Sequence, residues 1–268
     1  MIIERDGVAL HVVAEGDGDA VILLHGHTLD LRVWDEIAPA LIGKGYRVVR
    51  YDQRGHGRSG SPPSGYRWGD HAADLAAVIE HLAPAAAHVV GLSKGGGIAL
   101  ELAVRRPELI RGLALIGPLV PDAPLSDELV ASFKALAKVI RAEGPGAASG
   151  DVWLANPLIA SAAALPGARE RLEAMLRTFP AGEYLAVVRD APDRDWKLTD
   201  RLDEITVPAV VVRGEHEVRD LVSSAELLAT SLPSAYLVIV PSSGHLVPLE
   251  QPVATVAALT AFLAFESQ

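Results

Sequence analysis

Cysteine is absent from the 268 residues. With it go disulfides, thiol nucleophiles and thiolate metal sites. Positive charge is in short supply. Lys and Arg number 24 against 34 Asp and Glu, for a formal net charge of −10, and no basic run stands out. That argues against nucleic acid and against an anionic membrane as partner. No uninterrupted apolar segment is long enough to span a bilayer. The opening Met1-Ile2-Ile3-Glu4-Arg5-Asp6-Gly7 carries charges where a signal peptide needs an apolar core. A soluble, cytoplasmic protein is the expectation. Internal repeats and low-complexity linkers are missing too, and the shortage of tryptophan carries no functional signal.

Hydrophobic residues make up 50% of the chain, which places it among globular proteins. Its length fits one domain with room for an inserted lid. Short apolar runs alternate with helical patterns. The expected strands are Leu10–Glu15, Ala20–His25, Tyr46–Tyr51, His88–Leu92, Ile110–Ile116, Val207–Arg213 and Ala235–Val240. Several are apolar almost throughout, as strands buried on both faces should be. The expected helices are Trp34–Ile42, Trp68–His81, Lys94–Arg106, Val222–Leu232 and Val253–Phe265. This alternation predicts an α/β fold with a mostly parallel twisted sheet and helices on both faces. It breaks once. From Pro118 to about Asp200 the chain reads as short helices, interrupted at Gly144-Pro145-Gly146, Asn156-Pro157, Pro166-Gly167 and Pro180. The expected division is a core of residues 1–118 and 201–268 with a helical cap, 119–200, inserted in it. Such a cap would cover the carboxyl ends of the strands, where open α/β sheets bind ligands. The rival reading is a peripheral helical subdomain away from any site.

The stretch Gly91-Leu92-Ser93-Lys94-Gly95 follows an apolar run and precedes a helical pattern. Strand, sharp turn and helix form the setting of a G-x-S-x-G nucleophile elbow. The glycines permit a strained turn that lifts the serine hydroxyl clear of the sheet. By itself the motif is weak, because a glycine-rich turn with a solvated serine would look the same. An activated serine also needs a base, an orienting acid and oxyanion donors. His245, in Ser242-Ser243-Gly244-His245-Leu246, lies on a loop before the last helix and is the candidate base. His11, His71 and His81 fall in or beside regular elements. The candidate acid is Glu217, with Asp220 as alternative, both on the loop after Val207–Arg213; Asp122 is a remoter option. The oxyanion donors would be the backbone N–H groups of His27 and Lys94. Two decoys are set aside. His25 and His27 could read as a metal pair, but a strand tip with no third ligand nearby argues against it. Gly55-His56-Gly57-Arg58-Ser59-Gly60 matches G-x-G-x-x-G, but Ser61-Pro62-Pro63 follows it where a dinucleotide site needs a helix.

Four motifs stand in register: His25-Gly26, Tyr51-Asp52-Gln53-Arg54-Gly55-His56-Gly57-Arg58-Ser59, Gly91-Leu92-Ser93-Lys94-Gly95-Gly96 and Gly244-His245. In this the chain resembles the α/β-hydrolase superfamily, in particular its small, cap-bearing branch of esterases, enol-lactonases and C–C bond hydrolases. The resemblance runs from about Ile2 to Phe265 and is least specific in the cap. It implies the α/β-hydrolase fold and a triad in the order Ser93, acid, His245. Two departures stand out. Relatives usually carry Asp where this chain has Glu217, so the longer side chain must reach the histidine or Asp220 must take the role. At Lys94 relatives commonly have a neutral residue. The lysine reads as solvated or salt-bridged, with attraction of an anionic substrate as the alternative.

The resulting expectation is a serine hydrolase of small carboxylic esters or lactones with no cofactor and no metal. Trp153, Leu154, Leu158 and Ile159 are expected either to line its pocket or to form the cap's own small core. C–C bond hydrolysis on the same machinery is the enzymatic rival. Relatives of that kind commonly have Asn where Leu92 precedes the serine here. A slow-turnover ligand-binding receptor with this fold is the rival of another class.

Overall fold

The computed structural model describes residues 1–83, 85–146, 150–188 and 196–265. Eight strands form one sheet: β1 (Ile2–Arg5), β2 (Val8–Glu15), β3 (Ala20–Leu24), β4 (Arg47–Tyr51), β5 (Ala87–Leu92), β6 (Ile110–Ile116), β7 (Ala209–Gly214) and β8 (Ala235–Val240), in the spatial order β1-β2-β4-β3-β5-β6-β7-β8. Pairings β1–β2 and β2–β4 are antiparallel, and the others are parallel. The inner strands β3 and β5 are buried along their whole length. Their side chains alternate between two faces, as the pleat requires. Val21 and Leu23 join one apolar layer, while Ile22 and Leu24 join the other.

Helices cover both faces. The first layer packs α1 (Ala38–Ile42) and α11 (Pro252–Phe265), through Leu41, Leu259 and Phe262. The second packs α2 (Trp68–Leu82), α3 (Lys94–Arg105) and α9 (Arg219–Ser231), through Leu75, Ile98 and Leu228. Between β6 and β7 lie α4 (Asp127–Glu143), α5 (Asp151–Leu154), α6 (Pro157–Ala163), α7 (Pro166–Arg177) and α8 (Gly182–Leu185), with no strand among the described residues. Residues 147–149 and 189–195 of the expected cap lie outside the described residues. These inserted helices share one apolar layer with the sheet: Ile159, Leu172 and Met175 belong to the same buried cluster as Leu23 and Trp34.

Four expectations need correction. The edge strand β1 was not expected. Only Ile3 of its four residues is buried, so it has little apolar signal. The expected helix Trp34–Ile42 is a 3-10 turn at Leu31–Trp34 followed by α1, because Pro39 restarts the helix in its first turn. Strand β7 begins at Ala209, after Pro208, which has no N–H to give a neighbouring strand. Helix α9 begins at Arg219, three residues before the expected start, so Asp220 lies in its first turn and not on the loop.

Candidate active site

Ser93 stands where β5 passes into α3, at φ 53° and ψ −115°, a conformation that is strained for any residue with a Cβ. The surroundings hold it there. Its N–H donates to Ile116 O of β6 at 2.9 Å, and its carbonyl accepts from Gly96 at 2.9 Å and Leu119 at 3.1 Å. A Cβ on Gly91 would collide with the Gly95 carbonyl, and one on Gly95 would lie 2.7 Å from Leu24 O. Only glycine lets strand and helix approach so closely at this turn.

His245 and Glu217 meet beneath it. His245 Nδ1 lies 2.9 Å from Glu217 Oε2, and both side chains are almost wholly buried. Glu217 Oε1 accepts from its neighbour Val218 N–H at 2.9 Å, so both carboxylate oxygens are occupied. An ionised carboxylate only accepts, so Nδ1 carries the proton and Nε2 is left with a lone pair. Ser93, His245, His27 and Lys94 all line one cavity of about 350 Å³. Among the described residues Ser93 Oγ and His245 Nε2 make no hydrogen bond. Such contacts often tighten only when substrate binds.

The expected alternative acids lie elsewhere. Both oxygens of Asp220 accept from Ser126, one from its N–H and one from its hydroxyl at 3.0 Å, at the start of α4. Asp122 accepts from Thr199, including the hydroxyl at 2.9 Å. Both aspartates therefore tie down the segment between β6 and β7 near its two ends.

Three groups that sequence reading missed position the site. A Cβ on Gly117, at φ 48°, would lie 2.8 Å from both Glu217 Oε2 and His245 Nδ1, so the histidine–glutamate pair packs against bare backbone. Glu250 accepts from Gly244 N–H at 2.6 Å and Leu246 N–H at 3.0 Å, holding the loop on either side of His245. Ser161 of α6 donates to the same carboxylate at 2.6 Å. Thr28, at φ 63°, donates its hydroxyl to His27 O at 2.6 Å and accepts from Trp153 Nε1 at 2.9 Å. The backbone at His27 is thus tied to α5. Of these signals only Glu250 was local, five residues beyond His245.

The Lys94 N–H is the first of α3 and has no acceptor in its own helix. The His27 N–H likewise has no backbone acceptor among the described residues. His27, on the loop after β3, and Lys94, at the start of α3, both line the cavity with Ser93.

Burial shapes the protonation of the nearby histidines. His25 Nε2 accepts from Gln53 N–H at 2.9 Å, so its Nδ1 carries the proton and donates to Gly26 O at 2.8 Å. Burial depresses its pKa and keeps it neutral. Both ring nitrogens are committed, which leaves none for a metal. His27 Nε2 lies 2.5 Å from Tyr184 Oη. Burial first, then the nearby Lys94 charge, lowers the His27 pKa to about 4. The G-x-G-x-x-G stretch continues as turns, and α2 opens only at Trp68.

Trp153, Leu158 and Ile159 both line the cavity and belong to the buried apolar layer. Leu154 packs against that layer without lining the cavity. The remaining wall is mostly apolar and includes Leu29, Trp68, Leu119, Val120 and Phe133. The cavity can therefore hold a small, largely apolar molecule beside Ser93 and His245.

The sequence model of one family, described as the alpha/beta hydrolase fold, matches residues 19–252. Among characterised proteins, 2-(acetamidomethylene)succinate hydrolase of Mesorhizobium japonicum is 29% identical over 96% of this chain and 92% of its own. Among solved structures, a thermophilic esterase from Thermogutta terrifontis aligns with a TM-score of 0.80 at 26% identity, covering 100% of this chain and 97% of that one. The enol-lactonase from Burkholderia xenovorans aligns with a TM-score of 0.78 at 26% identity, covering 98% and 100%.

Proposed function

Because the chain belongs to the alpha/beta hydrolase family, we propose that it is a serine hydrolase of small carboxylic esters or lactones, acting through an acyl-enzyme. The observation that carries this reading is the His245–Glu217 pair, 2.9 Å apart and buried, opening on the same cavity as a serine at a strained elbow. The similarity to an esterase and an enol-lactonase supports the choice of substrate class.

In this reading Ser93 Oγ attacks the carbonyl carbon as His245 Nε2 takes its proton. The carbonyl oxygen becomes an oxyanion and accepts from the His27 and Lys94 amides. Such preorganised donors stabilise the developing charge without reorganisation. Glu217 holds the imidazole in the tautomer with Nδ1 protonated and offsets the charge of the imidazolium. The tetrahedral intermediate collapses, and the imidazolium gives its proton to the departing oxygen. A water then gives a proton to His245 and attacks the acyl carbon, releasing the acid and restoring Ser93. In a lactone the departing oxygen stays tethered, and the product is a hydroxy acid. Apolar Leu92 before the serine supports ester over C–C bond cleavage.

A panel of short esters and lactones tests the reading. Turnover is expected on at least one class, and it should disappear in Ser93→Ala. Turnover retained in Ser93→Ala, or turnover confined to carbon–carbon substrates, would overturn it. Binding with a single slow release of product would instead favour the receptor.

A further inference from the structure

A charged pair is built into the mostly apolar cavity. The Lys94 side chain is only 7% exposed and lines the cavity beside Ser93. Its ammonium donates to Glu183 Oε2 of α8 at 2.6 Å. Among the described residues that is the ammonium's one hydrogen bond, and an ammonium has three donors. Two donors are therefore left facing a mostly apolar cavity, free for water or for an oxygen of a ligand. Glu183 lines the same cavity and is 37% exposed at its side chain. Burial opposes its ionisation, but the Lys94 charge, the interaction with His27 and the hydrogen bond from Lys94 outweigh this, so its pKa is lowered. Glu183 is thus favoured as a carboxylate, and its charge balances that of the ammonium it accepts from.

That neutrality separates two classes of ligand. A carboxylate reaching Lys94 would also meet Glu183, and it would leave an uncompensated negative charge in the cavity. A neutral carbonyl, ether or hydroxyl oxygen can take the spare donors without that cost. Spacing adds a second constraint. The amide and the ammonium of Lys94 belong to one residue, so they lie at most about 8 Å apart along an extended side chain. One oxygen of a ligand can face the amide while another, a few carbons away, faces the ammonium.

We propose that the Lys94–Glu183 pair is a specificity-determining subsite, selecting uncharged substrates that carry a second oxygen acceptor a few carbons from the scissile carbonyl. Glu183 acts there as the residue that turns carboxylates away. The proposal deepens the ester and lactone reading and rests on it for the placing of the scissile carbonyl.

Three esters of one shape test it by binding alone: methyl 5-oxohexanoate, monomethyl glutarate and methyl 5-methylhexanoate. They differ only in ending on a neutral acceptor, an anion or an apolar branch. Binding is measured in a Ser93→Ala background through the fluorescence of Trp68 and Trp153, which line the cavity. The keto ester is expected to bind about tenfold tighter than the alkyl ester, as a hydrogen bond to a charged donor allows. Monomethyl glutarate should bind no better than the alkyl ester. Adding Glu183→Gln should strengthen glutarate binding at least tenfold and make it the tightest of the three. Adding Lys94→Met should bring the keto and alkyl esters within threefold of each other. Glutarate already tightest in the Ser93→Ala background, a keto preference unmoved by Lys94→Met, or no binding of any ester overturns the proposal. Should Lys94→Met fail to fold, Glu183→Gln decides alone, and no gain for glutarate overturns it. Turnover of the keto ester by the protein with Ser93 intact is followed in parallel. Its absence, with the binding ratios as expected, would remove the hydrolase reading and leave the subsite.

Discussion

Shortening Glu217 to the aspartate that relatives usually carry should damage this protein. The Glu217 carboxylate lies 2.9 Å from His245 Nδ1. Removing one methylene withdraws it by roughly 1.5 Å, beyond hydrogen-bond range. The loop cannot follow freely. His216 N–H donates to Ser243 O at 2.8 Å and Glu215 N–H to Val240 O at 2.9 Å, tying the loop after β7 to the end of β8 and the loop after it. The negative charge would remain near the imidazole while the tautomer lock is lost. A fall in kcat of about 10–10²-fold is expected for Glu217→Asp, less than for full loss of the acid. Glu217→Gln goes further, because its amide can donate to Nδ1 and draw the imidazole proton to Nε2, where it blocks proton transfer from Ser93. Its kcat should fall by ~10²–10⁴-fold, or about 3–5 kcal/mol of barrier. Asp220→Asn should change kcat less than threefold, since Asp220 contacts Ser126 and not His245. The assay is steady-state hydrolysis of a short ester, with thermal unfolding recorded for each variant. Full activity in Glu217→Gln, or a larger loss in Asp220→Asn, would refute the reasoning.

Gly117→Ala should cut kcat by at least tenfold, because its Cβ would sit 2.8 Å from both members of the acid–histidine pair; wild-type turnover in a folded variant would contradict this. Trp153→Phe removes the hydrogen bond to Thr28 Oγ1 and enlarges the cavity. It should cost about 1–2 kcal/mol of stability and shift preference toward longer acyl chains, and an unchanged ester ranking would show that Trp153 is packing only. Stability should fall as pH drops from 6.5 toward 4. His27 titrates near 4 in the fold against an ordinary 6.5, and burial depresses His25 and His56 as well. Below 6.5 the unfolded chain binds protons that the native state refuses. Calorimetry showing an unfolding temperature that is flat or rising over that range would contradict it.

The elbow was legible in the sequence because its requirement is steric and local. Two glycines flanking a serine, between an apolar run and a helical run, leave few other conformations. The parallel sheet was legible for a similar reason, since β3 and β5 are buried on both faces and read as unbroken apolar runs. The choice between Glu217 and Asp220 was not. It depends on where α9 begins, and its N-cap, Val218, offers no side-chain oxygen to mark the start. Gly117 and Thr28 were invisible for a different reason: their roles come from contacts with chain far away in sequence, Gly117 with His245 and Thr28 with Trp153. The pairing of Lys94 was left open between solvent, a salt bridge and an anionic substrate. Its partner, Glu183, lies 89 residues away in α8.

The central claim is that Ser93 is the nucleophile. The most direct measurement is peptide mapping by mass spectrometry after reaction with a fluorophosphonate that forms a covalent bond with activated serines. One adduct per chain is expected, on Ser93, and none should form in Ser93→Ala or after unfolding. An adduct on any other residue, or labelling that persists in Ser93→Ala, would contradict the account.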